Sequence, residues 1–445
     1  MYGRIQRWLS EVRALEDDDV RRTIWASYGP LFKISNLLAC LDPGFVPLAI
    51  LHSIFFYTLV HIYIYLFTVT CYLLKDDFVL VGVQLHYLLL ALFGSVFCQH
   101  INLHRREICI LHKTIALNFY DYGILGLDPK RIAELKKILV RQRIRLIPFV
   151  MLIGLIGLFI VVGGPFIDNM IGAAPDVDFI NGVYMKTPIP MYFPFAVDSL
   201  PAHYAATGFQ IIVVSMLALV IIGTVYLNVV STQNIAHQLR ILDCSLKDIL
   251  TRSKKLYRQT NPTRKLDKNN LMNDKIFQEC IKYCIRQNVQ HHQSILKYYV
   301  QHTNVTSLPI MAAFFMGTLV LALSMVILVE KSERIGLIIT NTLAMIGELG
   351  NIYIACYFGE EVLTLSGGIR DTIYSVPWYY MDQANKKLIV SFQDCTLHPI
   401  EIKGSYIFTC TMNTFSSIVN SAYSYFNMLS VASGSTKEAH KESRN

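Results

Sequence analysis

Three groups of residues in this sequence have types and spacings that invite a chemical reading. Cys280 and Cys284 stand four apart on a stretch with helical patterning, and His291 and His292 follow. A structural zinc site needs four ligands at a defined spacing, so these four read as ordinary helix residues. Asn304-Val305-Thr306 is a glycosylation acceptor sequence, useful only to a segment that faces the cell exterior. Glu348 is the one carboxylate within an otherwise apolar block, residues 335–358. A carboxylate at that depth of a membrane helix costs several kcal/mol unless it is paired or hydrated. Either it faces an aqueous passage or it has a structural partner such as Asn, Tyr or Lys. No phosphate-cradling glycine loop, zinc-protease helix or nucleophile elbow is present. Catalysis, a cofactor and a metal are therefore not expected.

The elements that must position these residues are set by lipid. The chain has 445 residues, 53% hydrophobic and 16% charged, with a positive mean hydropathy. Soluble domains carry closer to a quarter charged residues, and the deficit here is concentrated in long uncharged blocks. The net charge of +8 comes from basic residues beside those blocks. It reads as loop charge facing an anionic leaflet rather than as a nucleic-acid surface. The start is charged (Arg4, Arg7, Arg13, Asp17, Arg21, Arg22) and unlike a signal peptide, so the first span is expected to act as its own insertion signal. Ten cysteines are scattered singly, with none in the segments placed outside, which argues against a disulfide framework.

Uncharged stretches at 43–74, 78–104, 146–167, 199–239, 298–329 and 404–436, together with 335–358, give seven spans. Each is long enough to cross the hydrocarbon core as a helix, the form in which the backbone satisfies its own hydrogen bonds. Alternate compartments hold 33 and 7 of the Lys and Arg residues. The positive-inside rule then places the N-terminus and the even-numbered loops in the cytoplasm. That orientation is opposite to the seven-helix G-protein-coupled receptors, whose acidic-Arg-aromatic and Asn-Pro-x-x-Tyr motifs are also missing. The expected fold is an all-α membrane protein with seven transmembrane helices and a cytoplasmic N-terminus.

The boundaries follow. Residues 1–42 form a cytoplasmic segment, and 43–233 carry helices one to four with an external loop at 168–205. That loop is rich in Pro, Gly and aromatics (Pro188, Pro190, Pro194, Tyr184, Tyr192, Phe193) and reads as an ordered, turn-rich lid. Residues 234–300 are a cytoplasmic helical loop. Its apolar positions Ile235, Leu239, Leu242, Leu246 and Ile249 predict that span four continues as an amphipathic helix. A polar break near Asn261, Pro262 and Asn269 precedes a second helix, about 274–300, leading into span five. A helix is also predicted around Ile132, Leu135, Ile138 and Leu139. Together these extensions predict a helical collar beneath the spans. Helices five and six occupy 301–358, a cytoplasmic loop 359–403, the last helix 404–433, and an external tail 434–445.

The stretch from Tyr353 to Ser430 carries an ordered set of motifs. It reads Gly359-Glu360-Glu361-Val362, Ser366, Ile373-Tyr374-Ser375-Val376-Pro377-Trp378-Tyr379, Lys386-Lys387-Leu388-Ile389, Pro399-Ile400 and Lys403-Gly404. It closes on Phe415 and Ser421-Ala422-Tyr423-Ser424-Tyr425-Phe426 with Leu429. This order resembles the C-terminal signature of insect odorant receptors, and the inverted seven-span layout agrees with it. The Thr-Tyr ending of gustatory receptors is missing, and the fourth loop and last helix differ from those of the family's co-receptor. The resemblance is to a ligand-tuning subunit. A gustatory-receptor-like channel, a metabotropic receptor and a transporter are the alternatives, and no two related halves of the transporter kind are seen.

The resemblance implies a tetrameric, odour-gated, non-selective cation channel in the plasma membrane of olfactory sensory neurons, usually assembled with the olfactory co-receptor. Its partners would be a volatile odorant, co-receptor subunits and membrane lipid. The last helix, about 413–432, would line the pore with a face at Ser424, Met428 and Val431 or Ala432. By motif position Met428 would form an apolar gate that dewets when closed, or else would pack against the next helix. Asn427 and Ser430 would line the pore or bond across helices. The family's odour pocket lies among spans two, three, four and six in the outer half of the membrane. On this chain the candidates are Tyr87, Leu88 and Ala91, then Leu155 and Phe159, then Phe209, Ile212 and Met216, then Thr340 and Leu343. Glu348 would face an aqueous passage or couple to the gate. A volatile ligand needs an apolar, aromatic-lined cavity with few polar anchors.

Overall fold

The computed structural model describes residues 46–116, 119–172, 178–262, 271–329, 335–405 and 407–442. The N-terminal segment 1–42 and Asn269 fall outside them, and so does the side chain of Ala432. The described parts of the uncharged blocks are mainly helical. In chain order they are α1 (Val46–Leu73), α2 (Phe78–Leu103), α3 (Arg105–Ala116), α4 (Pro129–Leu158), α5 (Gly164–Met170), α6 (Leu200–Lys247), α7 (Ile249–Thr260), α8 (Lys275–Val329), α9 (Ile335–Ser375), α10 (Gln383–Asp394) and α11 (Met412–Glu442). A π-helical turn, Phe159–Gly163, joins α4 to α5. Two short antiparallel hairpins complete the set: β1 (Phe179–Ile180) with β2 (Val183–Tyr184), and β3 (Lys403–Gly404) with β4 (Phe408–Thr409).

Among the described residues five helices are long and apolar enough to cross a membrane: Ile54–Leu73, Leu80–Ile101, Leu200–Lys247, Lys275–Val329 and Ile335–Ser375. The other two expected spans are helical as well, but differ in kind. Residues 146–167 pass through the end of α4, the π turn and α5, so no single helix carries the whole apolar run. α11 is threaded with Asn413, Ser416, Ser417, Asn420, Ser421, Ser424 and Asn427, which lowers its apolarity.

Three long helices set the architecture. α6, α8 and α9 run unbroken for 48, 55 and 41 residues. At 1.5 Å per residue α8 is about 80 Å long, far more than the roughly 30 Å hydrocarbon core. These helices leave the bundle at one end and pack with α7 and α10 into the predicted collar. Its core holds Leu242, Leu246, Phe277, Ile281, Ile373 and Phe392. A second core, at the opposite end, holds Phe56, Tyr63, Phe67, Met191, Val213 and Leu217.

The segment between α5 and α6 is the expected turn-rich lid, tied down by specific bonds. Asn181 and Gly182, both at positive φ (47° and 80°), make the tight β1–β2 turn. The buried Gln210 side chain pairs with both backbone groups of Ile189, donating at 2.8 Å and accepting at 3.2 Å. Tyr192 N donates to Thr70 Oγ1 at 2.9 Å. The lid therefore rests on α1 and α6.

Three helix boundaries differ from the expected span boundaries. α6 begins at Leu200, inside the segment assigned to the external loop, because Pro201 at the first turn suits a helix start. α9 does not end at residue 358 but continues to Ser375, since its lower half has the collar to pack on. Residues 403–409 are a hairpin, and the last helix starts at Met412 rather than 404. Gly404 fits there against α8, where a Cβ would lie 3.1 Å from Met311 N.

Candidate functional site

A cavity of about 830 Å³ lies between helices at the lid end, including its open side. α1 contributes Tyr63 and α2 contributes His86, Tyr87 and Leu90. α4 contributes Ile153, Ile156 and Gly157, and α6 contributes Val214, Leu217, Ala218 and Ile221. Val320 of α8 and Ala344, Gly347, Glu348 and Asn351 of α9 close it. The lining is apolar and aromatic, with a few convergent polar groups, the pattern of small-molecule sites. A second cavity of about 470 Å³ shares Ile221 and Asn351 with the first and adds Phe93, Thr224, Asn228, Pro309 and Phe314.

The polar groups are placed by backbone geometry. Gly317 of α8 faces Glu348, and a Cβ there would lie 2.6 Å from Glu348 Oε1. A glycine at that point makes room for the carboxyl. Asn351, one turn along, is its hydrogen-bonding neighbour. Ser324 Oγ lies 3.3 Å from His86 Nδ1. Tyr63 is buried against Phe67, with ring centroids 4.4 Å apart, and its hydroxyl has no hydrogen-bond partner among the described residues.

Of the pocket residues expected from the sequence, Tyr87 lines this cavity, as does Glu348. Leu88, Phe209, Met216 and Leu343 are half-buried against the lid-end core, and Ala91 is fully buried in it. Phe159 sits in the π turn with its ring over Gly163. Thr340 is buried where α9 crosses α5, its Oγ1 against Gly164. Leu155 and Ile212 turn outward, 62% and 47% exposed. The helices are the anticipated ones, with α1 and α8 added, but the facing positions differ by one to five residues. Tyr63, His86, Ile156, Leu217, Ala344, Gly347 and Asn351 were missed. On α9 the signal was available, because Ala344, Gly347 and Asn351 share a helical face with Glu348.

α9 carries the cavity toward the last helix. Its Tyr353 packs edge-on to Phe415 of α11, with centroids 5.6 Å apart. Gly359 lets the chain cross closely, since a Cβ would lie 2.3 Å from the Cys410 carbonyl oxygen. Glu360 Oε2 accepts from Met412 N at 3.2 Å and so caps α11. Ser366 Oγ accepts from Ile400 N at 2.9 Å. The C-terminal motif residues are thus the fastenings between α9 and the segment that launches α11. On α11, Ile418 and Ala422 are buried against the bundle. Ser424, Asn427, Met428 and Val431 lie on the outward face, Met428 and Val431 being 63% and 74% exposed.

The collar holds a buried polar network. The Arg252 guanidinium donates to Leu125 O at 3.1 Å and to Asn288 Oδ1 at 3.0 Å, and it stacks 4.5 Å from the Tyr122 ring centroid. Tyr122 Oη lies 2.7 Å from His291 Nδ1, and His291 Nε2 lies 2.9 Å from Gln238 Oε1. That fits a neutral ring with its proton on Nε2. Burial, then the charges of His292 and Arg252, hold the His291 pKa down to about 3. Burial also pushes the Cys280 and Cys284 thiols up. Among the described residues no group of three or more His, Cys, Asp or Glu residues is placed to hold a metal.

A helical bundle with an apolar cavity under a lid, long helices reaching a collar, and a separate polar helix define a multi-pass membrane receptor fold. The family model described as 7tm Odorant receptor matches residues 77–423. The chain belongs to that family. Its segments are 27% identical over 153 residues to Odorant receptor Or2 of Anopheles gambiae, covering 34% of this chain and 38% of that one. They are 24% identical over 149 residues to the Odorant receptor coreceptor of Aedes aegypti, covering 31% of each. The matched segments thus span well under half the length of these curated relatives. The olfactory receptor OR5 of Machilis hrabei, solved in complex with eugenol, superposes with a TM-score of 0.72 at 13% identity, over 90% of this chain and 97% of that one. At that identity the likeness is one of fold.

Proposed function

We propose that the chain is the odorant-binding subunit of an odour-gated cation channel. A volatile, largely apolar ligand binds in the 830 Å³ cavity and favours an open arrangement of α11 helices around a shared axis. Binding shifts a closed–open equilibrium only by the difference in affinity for the two states. The observation that carries this reading is the continuity of α9, which bears one cavity wall at Ala344–Asn351 and fastens α11 at Gly359 and Glu360. Motion of that wall has a rigid path to the last helix.

The polar composition of α11 supports a pore role. A helix with three serines and asparagines per two turns is costly on a lipid-facing perimeter, and it is suited to an aqueous path or to pairing across copies. The 33-to-7 asymmetry of basic residues supports a cytoplasmic N-terminus and collar, with the lid outside. The related OR5 was solved in complex with eugenol. Partnership with co-receptor subunits follows from the family.

The test is current recording from cells expressing the chain with and without the co-receptor, against an odour panel. An odour-evoked, non-selective cation current is expected with the co-receptor. Surface-expressed protein that answers no odour under either condition contradicts the proposal. An epitope at the N-terminus should stain only permeabilised cells, whereas a metabotropic receptor of the usual orientation stains without permeabilisation.

A further inference from the structure

The cavity is not the plain hydrocarbon slot that an ester or terpene would need. It holds one carboxyl, Glu348, and none of its lining residues is Lys or Arg. Among the described residues Glu348 makes no ion pair. On α8 the bare backbone of Gly317 faces it, and its hydrogen-bonding neighbour is Asn351 on its own helix. A second polar group, the Tyr63 hydroxyl, is buried in the same lining without a partner. Around them stand aromatic faces, with Tyr87 5.5 Å from His86 and 6.1 Å from Phe67, centroid to centroid. A carboxylate within a span that has a hydrogen-bonding neighbour but no opposite charge is expensive, and a ligand can offset that cost by bringing the opposite charge.

We propose that the preferred ligand is a small volatile amine whose nitrogen pairs with Glu348, with its apolar body against Leu90, Ile156 and Leu217. This rests on the reading of the cavity as the odour site and names the ligand class of that site. The amine travels as its neutral free base. In the cavity it meets the carboxyl in one of two forms joined by a proton moving along their hydrogen bond, amine with carboxyl or ammonium with carboxylate. Both pairs carry no net charge, so neither leaves an uncompensated ion in the membrane. The ionic form adds a charge-assisted hydrogen bond and attraction to the faces of Tyr63 and Tyr87. An alcohol gains only a neutral hydrogen bond, and a carboxylic acid meets a like group.

The experiment uses the full chain with the co-receptor and matched six-carbon ligands: hexylamine, hexanol and hexanoic acid. In the wild type hexylamine should be the most potent and hexanoic acid the least. Glu348→Gln, nearly isosteric, should raise the half-maximal concentration for hexylamine by about tenfold or more, the worth of one charge-assisted bond, and shift that for hexanol, which loses at most a neutral hydrogen bond, by a clearly smaller factor. Glu348→Asp should recover part of the hexylamine response. Surface labelling confirms equal expression. Currents to hexanol with none to hexylamine, or equal shifts for both ligands in Glu348→Gln, overturn the amine assignment while leaving the odour site standing. Silence to every odorant of a broad panel overturns the odour-site reading and this inference with it.

Discussion

Gly317, Gly359 and Glu348 work as a set in which missing side chains matter as much as present ones. A Cβ at position 359 would lie 2.3 Å from the Cys410 carbonyl oxygen, and a backbone oxygen cannot swing aside as a flexible side chain can. Gly359→Ala is therefore expected to cost about 1–3 kcal/mol through the enforced shift of α9 from the α11 launch segment. The check is the thermal unfolding of the purified assembly, together with the odour-evoked current, which should fall further than surface expression does. Legibility at this scale followed chemistry. Glu348 stood out in the sequence because a carboxylate breaks the pattern of an apolar block. Ile156 and Leu155 did not separate, since an apolar residue on a membrane helix looks the same whether it faces lipid, a neighbour or a cavity. Only the helical phase distinguishes them, and apart from Glu348 no marker set that phase. Tyr63 lay on a span that the resemblance did not assign to the pocket.

α6, α8 and α9 show why span boundaries and helix boundaries part company. Charge tells where lipid ends, but a helix ends where its packing or hydrogen bonding ends, and these three find the collar waiting beyond the membrane. The amphipathic spacing of Ile235, Leu239, Leu242 and Leu246 made that continuation readable on α6. On α9 charged residues interrupt the apolar positions beyond residue 358, which hides the continuation of the helix to Ser375. The β3–β4 hairpin was hidden inside an uncharged stretch, which cannot tell a hairpin from a helix. Two expectations belong to the collar. Arg252 is buried with its donors on Leu125, Ser245, Gln287 and Asn288, so Arg252→Ala leaves buried acceptors unpaired and should destabilise the collar by about 1–3 kcal/mol, seen as a lower unfolding temperature of the detergent-solubilised protein. His291 sets a pH limit. Its folded pKa of about 3 lies below the ordinary 6.5, so the unfolded chain binds the proton first. Its contribution is complete above about pH 6.5 and is lost as pH falls from there toward 3, by at most about 1.4 kcal/mol per pH unit. His112 in α3 is also held to about 3 by burial. The unfolding temperature should therefore drop between about pH 6.5 and 5, and His291→Asn should flatten that drop only in part.

At the scale of the whole molecule one continuous helix, α9, lines the cavity beneath the lid and also holds the segment that launches α11. Membrane composition was enough to give an all-helical bundle, with five helices among the described residues long and apolar enough to cross a membrane, because lipid allows so few alternatives. The assembly is less legible, since a helix that lines a shared axis and one that faces lipid both present an exposed side in a single chain. What favours the axis is the face itself: Ser424, Asn427, Met428 and Val431 recur at helical spacing opposite the packed Ile418 and Ala422. Cysteine accessibility along α11 during odour-evoked current tests this most directly. Single cysteines at Ser424, Asn427, Met428 and Val431 are predicted to make the open channel blockable by a small water-soluble thiol reagent, while cysteines at Ile418 and Ala422 stay inert. Intact currents that the reagent leaves untouched at all four outward positions would contradict the account.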